Sequence, residues 1–300
     1  MEKIKTAIVG YGNIGKAVYE ALLNSPDMEA VGVVIRDVSK VGEKGVSAGL
    51  KAVSSIAELG KVDVAMLCVP SRTVPEVAAE LLEMGINTVD SYDIHGDICE
   101  VAQEMRKHAE KGNSVAILSA GWDPGTDSVV RCMLEACAPR GLTYTNFGPG
   151  MSMGHTVAVK AVEGVKDALS ITIPMGTGIH RRMVYVEIFN EDEFSKISKL
   201  IKSDPYFMHD ETHVIQVDDI SQLKDMGHGV NMTRKGVSGT TDNQLFEFNM
   251  RINNPALTAQ IMVSCGRATK RQKPGAYTMI EIPTIDLLPG SREAIIRRLV

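Results

Sequence analysis

The amino-acid sequence predicts an α/β protein. A parallel sheet with helices on both faces occupies the first third, and an α+β domain follows. Three observations predict it. Strand-like and helix-like runs alternate from Thr6 to Leu118, which is the pattern of parallel strands joined by crossover helices. A glycine cluster, Gly10-Tyr11-Gly12-Asn13-Ile14-Gly15, stands where the first strand should turn into the first helix. Beyond Leu118 strand-like runs dominate, as expected of a largely antiparallel or mixed sheet.

The elements follow in order. Thr6 to Val9 reads as a buried strand, and a helical pattern after the glycines runs through Val18, Ala21 and Leu22 to Asn24-Ser25-Pro26. Ala30 to Ile35, Val64 to Val69, Asn87 to Val89 and Val115 to Leu118 read as strands, with helices over Val74 to Met84 and Ile98 to Lys111. Thr126 to Ala138 reads as a helix crossing into the second domain. There, Tyr144 to Phe147 is a strand, Gly148 to His155 is irregular, and Leu169 to Ile173 and Met183 to Ile188 are strands. Glu191 to Lys202 is a helix; His213 to Val217, Gly229 to Thr233 and Leu245 to Ile252 are strands. Asn254-Pro255 starts a helix toward Lys270, because Asn caps and Pro fits a first turn. Met279 to Ile282 reads as a separate strand and Arg292 begins a last helix.

In this setting the glycine motif predicts a Rossmann-type dinucleotide site. Gly10 permits a tight turn, Gly12 lets backbone approach a pyrophosphate, Gly15 lets helix and strand pack closely, and Tyr11, Asn13 and Ile14 complete the loop. The loops leaving later strands, Cys68-Val69-Pro70-Ser71 and Ser91-Tyr92, face the cofactor on the same ground. Arg36 at the second strand end favours NADP, whereas Asp37 keeps NAD open.

The chain has 300 residues, 44% hydrophobic and 23% charged, with formal net charge −5, the balance of a folded globular protein. No basic patch suggests nucleic acid, and no apolar run reaches the roughly 18 residues of a membrane span. The charged, short-cored N-terminus does not read as a signal peptide. The five cysteines read as free, mostly buried thiols in a reducing cytoplasm, and the histidines show no metal-ligand spacing, so no metal site is expected.

Two loops after parallel strands carry carboxylates, Asp93 and Asp123, suited to binding an ammonium group or to general-base work. Asp123 reads equally well as a helix cap before Pro124. Arg181 and Arg182 read as a solvated face or as a carboxylate fork. His228 is unshielded between Gly227 and Gly229, Trp122 is the sole tryptophan, and Met153 lies in a glycine loop.

Longer stretches add a resemblance. Asp90-Ser91-Tyr92-Asp93-Ile94-His95-Gly96-Asp97, Ser119-Ala120-Gly121-Trp122-Asp123-Pro124-Gly125, Asn146 to His155 and Arg251 to Ala256 resemble the meso-diaminopimelate dehydrogenase family, over essentially the full length and closest to its shorter branch. The resemblance implies a homodimer catalysing reversible NADP-dependent oxidative deamination of meso-2,6-diaminopimelate at its D-centre. The products are L-2-amino-6-oxopimelate and ammonia, a step toward lysine and peptidoglycan precursors. It implies that Asp93 and Asp123 face the reacting amine, that Trp122 and Phe147 wall the pocket, and that Thr172, Arg182, His228 and Asn254 hold the carboxylates. Met153 and Gly154 form a backbone strip along the substrate. It implies that the chain end returns to the nucleotide domain, giving 1–120 with about 272–300 as one domain and 121–271 as the substrate and dimer domain. The family commonly places more positive charge after the second strand than Arg36-Asp37 supplies. The alternatives are another Rossmann oxidoreductase of D-amino acids or 2-keto acids, and a non-catalytic NADP(H) sensor.

Overall fold

The computed structural model describes residues 2–300 except 41, 43–45, 47–48 and 224–226. The elements, in chain order, are β1 Ile4–Val9, α1 Asn13–Leu23, β2 Met28–Val34, β3 Ala52–Val53, β4 Val64–Leu67, α2 Val74–Glu83, β5 Asn87–Asp90, α3 Ile98–Lys111, β6 Val115–Leu118 and α4 Thr126–Cys137. Next come β7 Arg140–Phe147, β8 Gly150–Met151, α5 Met153–Lys160, β9 Val165–Gly176, β10 Ile179–Ile188, α6 Phe194–Ser203, β11 Glu211–Gln216, β12 His228–Ser238 and β13 Thr241–Ile252. The chain closes with α7 Asn254–Thr269, β14 Gly275–Thr278 and α8 Arg292–Leu299.

The chain divides into two compact units, Met1–Cys132 with Pro255–Val300, and Met133–Asn254. The first is built on a parallel sheet ordered β14-β6-β5-β4-β1-β2-β3. Strand alternation divides its apolar residues between two faces. Ile8, Val64, Met66, Val115 and Ile117 pack with α1 and α7 on one side, while Ala7, Ala65, Leu67, Ala116 and Leu118 pack with α2 and α3 on the other. Chain order reverses between β1 and β4, so the loops after these strands flank a topological switch point.

Two sequence expectations shift here. The division falls at 132/133 and 254/255, not at 120/121 and 271/272. The reason is packing: Ala259, Met262, Val263 and Ala268 of α7 join the nucleotide-sheet core. Arg267, 5% exposed, clamps Asp27 with bonds of 2.5 and 2.7 Å and fixes α7 to the turn before β2. The last strand is Gly275–Thr278, paired in register with β6, not Met279 to Ile282. Glu281 folds back to accept from Thr278 N (2.7 Å) and Thr278 Oγ1 (2.9 Å), so the apolar run after the strand winds into a 3₁₀ turn.

The second unit holds two sheets, β11-β10-β9-β8 and β13-β12-β7. The first is mixed, since β10 and β11 run parallel and β9 is antiparallel to both its neighbours; the second is antiparallel. Val159 of α5 and Ile197 and Ile201 of α6 bury against Ala168, Val184 and Val186 of the first sheet. The helix α5 was not expected. Its Thr156, Val157 and Val159 are poor helix formers, and packing of Val159 and a bond from Ser170 N to Thr156 Oγ1 (3.0 Å) override the weak propensity. Among the described residues no helix is long and apolar enough to cross a membrane. The cysteines are unpaired: Cys99, Cys132 and Cys137 are exposed, Cys68 is half-buried and Cys265 is buried, which corrects the expectation of mostly buried thiols.

Candidate functional site

In the first unit the predicted residues gather at the carboxyl ends of β1, β4, β5 and β6. The turn after β1 has its own steric logic. Gly10 has φ +92°, and a Cβ there would lie 2.4 Å from the Cys68 carbonyl oxygen; a Cβ on Gly15 would lie 2.3 Å from the Gly10 oxygen. A Cβ on Gly12 would meet nothing within 4 Å. Two glycines are therefore required by the protein's own packing, while the third opens onto free space at the start of α1, where backbone N–H groups lack partners within the helix. That arrangement fits a dinucleotide pyrophosphate. Tyr11, 5% exposed, sits in the core, so its side chain faces inward and only its backbone serves the loop. Tyr92 is likewise buried.

Arg36 is exposed just past β2. Asp37 turns toward Ser39, accepting from its N–H (3.1 Å) and hydroxyl (2.5 Å), an Asx-type turn that engages one carboxylate oxygen. Ser71 donates to Asp93 Oδ1 at 2.6 Å, joining the loop after β4 to the one after β5. Asp90, fully buried, accepts at Oδ1 from Tyr92 N (2.9 Å) and Ser119 N (3.2 Å), and its carbonyl accepts from Ala120 N (2.7 Å). Asp90 therefore ties the loop of Asp93 to the loop of Trp122 and Asp123. Burial pushes it up to about 6, against the pull of those two N–H donors. Asp123 is not the cap of α4, which starts at Thr126; its Oδ1 accepts from Arg131 Nη2 at 3.0 Å. Trp122 is 7% exposed. Sequence reasoning assigned no role to Asp90, Asp127 or Arg131; the Asp127–Arg131 spacing of one helical turn is the signal that could have found the latter two.

In the second unit, strand register selects between the two arginines. Arg182 stands opposite Thr172 and its guanidinium donates to Thr172 Oγ1 and, at 2.6 Å, to Asp210 Oδ2. Arg181 stands opposite Glu211 and pairs with it at 2.9 Å. Arg182 is thus oriented within the sheet, and Arg181 is half-buried and engaged by Glu211. Phe147 N donates to His180 Nε2 at 2.9 Å, with the two rings 5.8 Å apart. Burial, then the Arg182 charge, hold His180 below its usual value, in keeping with a neutral ring that accepts at Nε2. Gly150 brings β8 against β12, since a Cβ there would lie 1.9 Å from the Gly227 oxygen. Together with the bond from Gly148 N to Gly229 O (2.6 Å), this places Phe147, Thr172 and His228 around one strand crossing. Gly154 is exposed on the first turn of α5, beside Met153, and Asn254 opens α7 as expected. His155, stacked edge-on against Tyr206 and Phe207, is pushed down to about 4, chiefly by burial and then by Arg182. Asp210, His180 and His155 were missed: their link to Arg182 and Phe147 depends on pairing across β9, β10 and β7 that spacing does not encode.

Fold and residues define a Rossmann-type oxidoreductase with a separate polar unit suited to a charged small substrate. Residues 4–117 match the family described as oxidoreductase family, NAD-binding Rossmann fold, and residues 121–181 match the diaminopimelic acid dehydrogenase C-terminal domain. The chain is 61% identical to the meso-diaminopimelate D-dehydrogenase of Bacteroides fragilis, with all of both chains covered. It is similar in structure to C. glutamicum diaminopimelate dehydrogenase in complex with diaminopimelate (TM-score 0.88, 30% identity, 100% of both chains). It also resembles an engineered D-amino acid dehydrogenase bound to NADP⁺ (TM-score 0.81, 29% identity, 99% of this chain and 100% of that one). The chain belongs to the meso-diaminopimelate D-dehydrogenase family.

Proposed function

We propose that the chain catalyses reversible NADP-dependent oxidative deamination of meso-2,6-diaminopimelate at its D-centre, giving L-2-amino-6-oxopimelate and ammonia. The single observation that carries this reading is the 61% identity extending over the whole of both chains. The substrate's two ammonium and two carboxylate groups each need a partner, because unpaired buried charge is costly. Asp93 and Asp123 supply acceptors for the reacting amine and help draw off a proton, since hydride departs readily only from the neutral amine. Arg182, braced by Thr172 and Asp210, supplies a fork for a carboxylate, with His228 and Asn254 as further polar partners. Trp122 and Phe147 wall the pocket, and the Met153–Gly154 backbone runs along the substrate.

The residues Gly10 to Gly15, Cys68 to Ser71, Ser91 and Tyr92 would hold the dinucleotide. When bound, its nicotinamide supplies the hydride acceptor. Burial pushes the Cys68 thiol up to about 12, so it meets the cofactor as a neutral group. Arg36 reads the 2′-phosphate, while Asp37 accepts from the N–H and hydroxyl of Ser39. The reading includes a cytoplasmic homodimer. Leu142, Ile179 and Leu245 of the second unit are each about 60% exposed, apolar surface suited to a second copy. The exposed thiols Cys99, Cys132 and Cys137 suit a reducing compartment. Purified protein given meso-diaminopimelate and NADP⁺ should form reduced nicotinamide. Silence with both NADP⁺ and NAD⁺ overturns the proposal.

A further inference from the structure

The loop before α4 and the first turns of that helix carry three charged side chains in a row. Arg131 Nη2 lies 3.0 Å from Asp123 Oδ1 and 3.7 Å from Asp127 Oδ2. The Asp127 side chain is 0% exposed, and neither of its oxygens accepts a hydrogen bond among the described residues. A buried carboxylate without donors is unfavourable when ionised, and the nearest cation is held closer by Asp123 than by Asp127. Burial first, and then the Asp123 charge, push Asp127 up to about 7, with Arg131 acting in the opposite direction. Asp123 faces it from the preceding loop and Arg131 from its own helix. His95, Arg106 and Glu281 line a cavity of about 570 Å³ with the neighbouring Ser128, and none of the three forms an ion pair with Asp127.

We propose that Asp127 is a positioning residue that acts through Asp123: it carries a proton in the substrate-free protein and releases it when the substrate's reacting ammonium settles beside Asp123. This rests on the placement of that amine given above. The charges balance at each stage. With Asp127 protonated, Asp123 and Arg131 cancel. An arriving ammonium adds one positive charge, the Asp127 O–H bond breaks, the proton passes to buffer, and the group of four is neutral again. No electron is transferred. The same carboxylate is then able to take up a proton as the bound ammonium becomes the neutral amine, from whose carbon the hydride departs as the C–H bond breaks. Protons and ammonium thus compete for the cluster, and substrate affinity weakens as pH falls below about 7.

The test uses Asp127→Asn, which keeps the shape and removes the titration. Binding of meso-diaminopimelate to protein loaded with NADPH, where no turnover occurs, is followed calorimetrically at pH 7 in buffers of different ionisation heat. A group with a value near 7 is half protonated there, so the unaltered protein should release about half a proton more than Asp127→Asn. Its substrate Kd should rise severalfold from pH 8 to pH 6, and that rise should be flatter in the variant. Equal proton release and parallel pH profiles overturn the inference while leaving the enzymatic reading intact. If Asp127→Asn does not fold, Asp127→Leu repeats the comparison with an apolar filler. Absence of substrate binding by the unaltered protein, with no NADP⁺ reduction, overturns both.

Discussion

Alanine at Gly12 and alanine at Gly15 should have opposite consequences, although the positions are three apart in one turn. At Gly15 the new methyl would stand 2.3 Å from the Gly10 carbonyl oxygen, a backbone atom that cannot swing aside. Overpacking of this kind costs about 1–3 kcal/mol. At roughly 2–4 °C per kcal/mol for a unit of this size, Tm should fall by several degrees. At Gly12 nothing lies within 4 Å of the new methyl, and φ −85°, ψ −158° is open to alanine, so Tm should move by less than about 1 °C. The methyl instead occupies the space through which a pyrophosphate reaches the α1 N-terminus. NADPH affinity should fall at least tenfold, or about 1.4 kcal/mol. Differential scanning fluorimetry reads the first quantity and NADPH fluorescence titration the second. A Gly12→Ala protein that melts early, or that binds NADPH as well as the parent, would refute the assignment of this loop.

Three further outcomes follow from named contacts. Arg182→Ala removes the fork held by Thr172 and Asp210 and should raise KM for meso-diaminopimelate by about 10–100-fold, on the scale of a lost charge-assisted pair, with a smaller effect on kcat; an unchanged KM removes Arg182 from the substrate. Arg36→Ala should weaken NADP⁺ binding much more than NAD⁺ binding, and equal losses would show that Arg36 does not read the phosphate. Arg267→Ala leaves Asp27 without its clamp and should destabilise the first unit by about 2–3 kcal/mol, below the range for a fully buried pair because Asp27 is partly exposed. Burial works to raise Asp27, and the bonds and charge of Arg267 outweigh it and hold the carboxyl below 3.8. The contribution is therefore present above pH 3.8 and lost as pH falls through the depressed folded-state value, so the variant and its parent should converge in stability in acid.

The nucleotide half was largely legible because its signals are local. A strand, a glycine turn and a helix are contiguous, and Gly10 and Gly15 prove to be demanded by contacts within that turn and with the next strand end. The second unit was less so. Its helix α5 is held by Val159 packing and by Ser170, not by propensity. Within the first unit the exception is the Thr278–Glu281 capping box, which winds an apolar run that reads as a strand into a 3₁₀ turn. The candidate substrate residues show the same division. Asp93 and Asp123 stand at strand ends that alternation alone predicts. Asp210, in contrast, reaches Arg182 from 28 residues away through β10–β11 pairing, and no spacing rule exposes that.

The oxidised carbon can be read from the product. Meso-diaminopimelate carries one D and one L centre, so the configuration left in the product reports the answer. With NADP⁺ in excess, one NADPH and one ammonia should form per turnover, with a product whose remaining amino-bearing carbon is L. Recovery of product with a D centre, or NADPH formation without matching ammonia, would contradict oxidative deamination at the D-centre.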